Sequence, residues 1–195
     1  MMEYRIERAR KEDAEFISDA IMMAIGREIE GPIADDRSGL KSTRELFKML
    51  AEREDSQYSY QNSFVARTPD GKTVGALIIY DGARLKKLRK VFIEKANSML
   101  NWGIDETKIK DETSPDEIYI DSIMVLPEAR GNGIAKALLK TGMEAFKEDN
   151  KPFGLLVEEE NSPAEKLYRK MGFKKVGTRP FLGQEMNHMQ KFINN

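Results

Sequence analysis

The feature that most narrows the fold is a strand, a glycine-bearing loop and a helix, followed at once by a second strand. Glu117 to Leu126 is an apolar-rich run, with Ile118, Ile120, Ile123 and Val125, and Pro127 stops it. Arg130-Gly131-Asn132-Gly133-Ile134-Ala135 then opens a helical pattern from Gly133 to Glu148, whose Ile134, Ala137, Leu138, Ala145 and Phe146 face inward. Pro152 to Val157 is short and almost wholly apolar, the pattern of a strand buried on both faces. Strand, helix, strand in that order requires a right-handed crossover between parallel strands, with chemistry at their carboxyl ends.

The rest of the chain builds around that unit. Tyr4 and Ile6 alternate with Arg5 and Glu7, which predicts a half-buried strand running into a helix whose buried stripe is Phe16, Ile17, Ala20, Ile21, Ala24 and Ile25. Gly31-Pro32 ends that helix, and a second one follows with Leu46, Phe47, Leu50 and Ala51 on one face and Ser42 or Thr43 as cap. Two β-branched runs, 63–67 and 73–80, flank Asp70-Gly71 and predict an antiparallel hairpin. Leu85, Leu88, Phe92, Ala96 and Met99 share a helix face, with Arg84, Lys86, Lys87, Arg89 and Lys90 on the solvated remainder. The acidic stretch from Ile104 to Glu117 reads as a polar, mobile insertion. Ser162-Pro163-Ala164-Glu165 is a capping box that starts a helix, Gly172 ends it, and strand-like runs at 173–181 and 185–193 close the chain.

Composition excludes several kinds of chemistry. With 32 Lys plus Arg against 33 Asp plus Glu, the net charge of -1 lacks the cationic excess that nucleic acid or an anionic membrane demands. There is no cysteine and a single histidine, His188, so thiolate metal sites and cysteine nucleophiles are out, a zinc enzyme or a Ser-His-Asp hydrolase is poorly supported, and His188 reads as structural. The charged N-terminus does not read as a secretory signal, and no apolar run spans a bilayer, so the expectation is a cytoplasmic protein. The 195 residues suit one domain, interrupted by an insertion at about 82–116.

The loop between Arg130 and Ala135 admits two readings: glycines that merely turn the chain, or a helix N-terminus whose free amides hold a pyrophosphate with help from Arg130. A dinucleotide fold lacks support, because Lys136 stands where a third glycine or alanine belongs, and no Gly-Lys-Ser/Thr makes a P-loop.

Arg130-x-x-Gly133-x-Ala135, after a strand ending in Val125-Leu126-Pro127, resembles the acetyl-CoA pyrophosphate loop of the GNAT N-acetyltransferases. Leu156-Val157, Asn161, Ala164, Leu167-Tyr168 and Gly172-Phe173 are similar to that family's second signature. Ile6, Ala9, Asp13 and Ala14, and His188-Met189 with Lys191, extend the resemblance to both ends. It implies an α/β (α+β) fold with a mixed, largely antiparallel sheet, a splayed parallel strand pair, flanking helices and here a helical insertion. It also implies direct transfer of acetyl from acetyl-CoA, the co-substrate, to an amine acceptor, with no covalent enzyme intermediate.

Carried over by residue, the amides of Gly131, Asn132, Gly133, Ile134 and Ala135, with Arg130, would hold the pyrophosphate. Ile123, Met124 and Val125 would line the pantetheine arm as if it were an added strand, with Asn161 opposite. Tyr168 falls where the family often has the acid that reprotonates the leaving thiolate, close to that arm. The base belongs on the strand before the loop. By alternation Glu117, Tyr119 and Asp121 share one of its faces, which makes Asp121 the preferred candidate and Glu117 the second. Gly31 to Gly39 and the 82–116 insertion would line the acceptor pocket, where Asp35, Asp36 and the acid near Asp111 favour a cationic amine. The acceptor is expected to be a small-molecule or peptide amine. The alternatives are a protein N-terminal acetyltransferase and a non-catalytic acyl-CoA-binding module, and the helix from Leu85 to Met99 offers a surface for a homodimer.

Overall fold

Apolar alternation becomes a sheet covered by helices on both faces. In chain order the elements are β1 (Arg5–Arg8), α1 (Ala14–Ile25), α2 (Arg37–Ala51), β2 (Ser63–Arg67), β3 (Thr73–Asp81), α3 (Leu85–Leu100), β4 (Ile118–Val125), α4 (Ile134–Glu144), β5 (Phe153–Val157), α5 (Pro163–Lys170), β6 (Lys174–Phe181) and β7 (Gln184–Lys191). The computed structural model describes residues 2–25, 37–158, 163–181 and 183–192. The seven strands lie in the order β1-β2-β3-β4-β5-β7-β6, and every adjacent pair is antiparallel except β4 and β5. This is the mixed sheet with one parallel pair that the resemblance implies.

Each face buries its own core. From Ala76 to Tyr80, β3 alternates: Leu77 and Ile79 pack with Ile134, Leu138 and Leu139 of α4, while Ala76, Ile78 and Tyr80 pack with Ile17 and Ile21 of α1 and Leu46 and Leu50 of α2. Side chains such as Leu77 and Ile78, both fully buried, contribute about 1.5–3 kcal/mol each. Among the described residues no helix is long and apolar enough to cross a membrane.

The segment between β3 and β4 packs closely on the protein. Leu85, Leu88 and Ala96 of α3 join the core beneath α1 and α2, and Phe92 stacks on Phe47 of α2 at 6.0 Å. Asn97 caps the turn after α3 by bonding the backbone of Ile104 in both directions. Arg89 was placed on the solvated helix face by its neighbours' charges, yet it is buried and forks onto Asp111 and Glu112. Thr113 and the Ser114 amide then donate to Glu117 at 2.7 and 3.1 Å. From Asp111 to Ser114 the acidic stretch is therefore pinned, because Asp111 and Glu112 meet a donor that the sequence places some twenty residues or more away.

Smaller differences have local causes. Ser42 and Thr43 do not cap α2, which begins at Arg37; Thr43 is buried inside it. α4 ends at Glu144, so Ala145 is exposed and Phe146 only half-buried. The Gly31-Pro32 stop, Asp35, Asp36, Asn161 and the Ser162 cap lie outside the described residues.

Candidate active site

The glycine loop is shaped by backbone conformation. After β4 a 3-10 turn over Pro127–Ala129 leads to an extended Arg130, and Gly131 and Gly133 take φ of 79° and 78°, a left-handed region costly to any residue with a Cβ. Asn132 braces the loop: its Oδ1 accepts from the Met2 amide at 2.9 Å, and its Nδ2 donates to Ala129 and Arg130 carbonyls. Tyr4 donates to the Asn132 carbonyl at 3.3 Å. Among the described residues, nothing accepts from the amides of Gly131, Asn132 and Gly133, and the first amides of α4 are free by helix geometry. That is an anion cradle at the positive end of a helix. Arg130 is exposed beside it and donates from Nε to the Val125 carbonyl at 3.2 Å.

The cleft arises where the parallel pair stops pairing. β4 and β5 are in register at Ile118 with Phe153, Tyr119 with Gly154, and Ile120 with Leu155, and no further, although β4 continues to Val125. Beyond that point β4 keeps pairing with β3. The Leu126 amide and the Met124 carbonyl turn toward β3, so by the two-residue period the backbone of Ile123 and Val125 faces the gap. Met124, assigned with them from sequence, instead pairs with Ala76 and buries its side chain among the α1–α3 helices.

Tyr168 of α5 packs into the opposite core, edge-on to Phe173, in the cluster that holds Ile120, Leu155 and Val157. Burial pushes its phenol up to about 12. Such a phenol stays protonated at neutral pH and can donate.

Asp121 sits at a bulge, since Ile79 pairs with Ile120 and Ile78 with Ser122, leaving Asp121 between. Alternation with Tyr119 puts its carboxylate on the α1–α3 face, where Oδ2 accepts from Tyr80 at 2.8 Å and Oδ1 from Ser122 at 2.9 Å. Burial raises its proton affinity, and the hydrogen bonds from Tyr80, Ser122 and Gln57 hold that rise back. Tyr58, Tyr80 and Tyr119 surround it, each raised well above an ordinary phenol by burial and by the carboxylates of Asp121 and Glu112.

Glu117, the second base candidate, is not brought to this site. It is fully buried at the start of β4, four residues and ~13 Å of strand from Asp121. Its carboxylate ties the segment before β4 to β7, accepting from Thr113, the Ser114 amide and Gln190, with His188 Nε2 2.8 Å from Oε2. Arg179 donates to His188 Nδ1, so Nε2 carries the hydrogen and donates to Glu117. Burial alone would raise the Glu117 carboxyl, yet the bonds from His188, Gln190 and Thr113 outweigh it and bring it to about 2. Gly154 leaves the room: a Cβ there would stand 2.0 Å from Glu117 Oε2.

Gln57 and Tyr80, which hydrogen-bond Asp121, are not singled out by the sequence as site residues. They come from two separate segments, and no local spacing links them to Asp121.

A seven-stranded mixed sheet with one parallel pair that parts, and a helix with free N-terminal amides after it, is the architecture of an acyltransferase-type fold. The chain matches the acetyltransferase (GNAT) family over residues 35–173, well over half its length, and belongs to that family. A crystal structure described as an acetyltransferase covers 97% of this chain and all of its own, with TM-score 0.76 and 30% identity. An N-acetyltransferase structure from Staphylococcus aureus Mu50 superposes with TM-score 0.81 over 96% of this chain and all of its own, and at 23% identity it speaks for the fold alone. In sequence, the chain is 31% identical over 119 residues to an N-alpha-acetyltransferase of Sulfurisphaera tokodaii, spanning 60% of this chain and 59% of that protein. It is also 36% identical over 72 residues to a mycothiol acetyltransferase of Streptomyces griseus, spanning 36% of this chain and 23% of that one. The chain thus spans between about a quarter and three fifths of these curated relatives.

Proposed function

We propose that this chain, as a single domain over residues 1–195 with its insertion at about 82–116, transfers acetyl from acetyl-CoA to a primary amine of a small molecule or peptide. The observation that carries the reading is the gap beyond Ile120 and Leu155, with the free amides of the glycine loop at its end and Asp121 turned to the other face of the sheet. The residues present fit acetyl-CoA: left-handed glycines admit a pyrophosphate against the backbone, and an extended pantetheine suits the gap-facing edge at Ile123 and Val125, which among the described residues no strand pairs and where only the Val125 carbonyl is taken, by Arg130. The thioester supplies the acetyl group: the amine nitrogen bonds to the carbonyl carbon, the carbon–sulfur bond breaks and CoA departs as a thiolate.

Asp121 takes the proton that the attacking amine must lose. Tyr80 and Ser122 hold its carboxylate in place, so the base does not reorganise as it acts. Tyr168, on the opposite face, donates its phenolic proton to the departing thiolate. Arg130 adds a charge at the pyrophosphate. A peptide N-terminus is the acceptor favoured by the likeness to the Sulfurisphaera N-alpha-acetyltransferase, and a small amine by the closely packed insertion.

The test is release of CoA thiol, read with a thiol-reactive dye, from acetyl-CoA and putrescine, spermidine, an aminoglycoside, serine or alanyl-alanine. The chain has no cysteine and is silent to the dye. Release above the no-acceptor control for one class establishes the transferase. No release with any class, in a sample that acetyl-CoA stabilises against heating, favours the acyl-CoA-binding module instead.

A further inference from the structure

The glycines that shape the phosphate loop also leave one of its peptides able to turn over. Gly133 has no Cβ, so its φ of 78° can change sign at little cost, and that change rotates the Asn132-Gly133 peptide. In a planar trans peptide the carbonyl of one residue and the N–H of the next point in opposite directions. The facing of the Asn132 carbonyl therefore decides whether the Gly133 amide points into the anion cradle or out of it. The Asn132 side chain is taken up by the Met2 amide and by the Ala129 and Arg130 carbonyls, and those bonds hold its Cβ, not the peptide plane beyond it.

A side chain from the far end of the chain holds that plane. The Tyr4 hydroxyl donates to the Asn132 carbonyl at 3.3 Å, the one hydrogen bond this carbonyl receives among the described residues. The Tyr4 ring is half-buried against the α4 side of the sheet, together with Met2 and Ile6, so the hydroxyl is anchored from behind. It stands 3.7 Å from where a Cβ on Gly133 would be, beside the residue about which the peptide turns. The Met2 amide reaches Asn132 Oδ1 at 2.9 Å, so the segment before β1 meets the loop at two points.

We propose that Tyr4 is a positioning residue for the acyl-CoA pyrophosphate: by holding the Asn132 carbonyl it keeps the Gly133 N–H aimed at the anion before the cofactor arrives. The inference rests on the acyl-CoA reading of the loop. Tyr4 acts through the peptide and not on the phosphate. A loop held with its amide inward binds at full strength, whereas a loop that divides its time between two facings loses affinity in proportion to the time spent in the wrong one.

Asn132-Gly133 is the only Asn-Gly step in the sequence, so full-length protein carrying 13C-carbonyl asparagine and 15N-glycine gives one NMR cross-peak for this peptide. Tyr4→Phe removes the hydroxyl and keeps the ring. Without ligand, the Asn132 carbonyl carbon of Tyr4→Phe should move upfield as it loses its hydrogen bond. On titration with CoA the Gly133 amide of both proteins should move downfield, at an affinity about 2- to 10-fold lower in Tyr4→Phe. Pantetheine, which has the arm and lacks the pyrophosphate, should bind both proteins equally. A role confined to packing would leave the unliganded cross-peak in place or weaken CoA and pantetheine alike, and either result overturns the inference, as does a CoA affinity equal to that of wild type. A wild type that binds no CoA overturns the acyl-CoA reading too; where wild type binds CoA, the other contrary results leave that reading standing.

Discussion

The glycine loop and the Asp121 cluster solve opposite problems by opposite means. The loop offers backbone amides at an exposed helix end, and its one shaping side chain, Asn132, is used up in bracing. The cluster offers side chains drawn from the segment before β2, from β3 and from β4, packed in a buried and charged setting. A site made of backbone needs only the right φ and free amides, and serves a cofactor common to a whole family. A site made of convergent side chains is where selectivity is built, and each member depends on folding elsewhere.

Variants on the cluster side should therefore cost turnover without costing acetyl-CoA affinity. The largest expected effect is Asp121→Asn, lowering kcat/KM by about 10²–10⁴-fold. Tyr168→Phe should follow, with about a 10²-fold fall in kcat. Phenylalanine keeps the ring packed edge-on to Phe173, so the melting temperature should stay within about 2 °C of wild type. A large loss of stability would mark Tyr168 as a structural anchor instead.

Glu117 separates stability from chemistry on the same strand. Its carboxyl lies near 2 when folded, so the stability it adds is complete above its unfolded value near 4.5 and is lost as pH falls toward 2. That contribution is on the order of 3 kcal/mol. Chemical denaturation of Glu117→Gln between pH 2 and 7 should show a flatter pH dependence and lower stability at pH 7, with the acid limb of kcat/KM unmoved. The smallest effect belongs to Arg130→Ala, under about 5-fold in acetyl-CoA affinity and shrinking with added salt, because the side chain is exposed.

The sequence spoke most clearly where structure depends on neighbours in the chain. Asp70-Gly71 predicts the β2–β3 hairpin, and the strand-loop-helix-strand order predicts the parallel β4–β5 pair. The positive φ of Gly131 and Gly133 is likewise local chemistry. Asp121 and Glu117 show where this stops: alternation puts them on one face of β4, and what divides them is ~13 Å of strand and the arrival of His188 and Gln190 from the last strand. Arg89 reads as one more solvated cation because the partners that bury it lie beyond the end of its own helix.

The division between the two sites is tested most directly by measuring acetyl-CoA affinity calorimetrically and CoA release kinetically in both Gly133→Val and Asp121→Asn. Valine at φ 78° adds about 1–2 kcal/mol of strain to the loop. Gly133→Val should weaken acetyl-CoA binding about 5- to 30-fold and keep kcat at saturating acetyl-CoA near wild type, while Asp121→Asn should bind acetyl-CoA as wild type does and lose turnover. If Asp121→Asn loses acetyl-CoA affinity in step with its rate, or Gly133→Val loses kcat with affinity intact, the assignment of donor and acceptor chemistry to separate faces of the sheet is wrong.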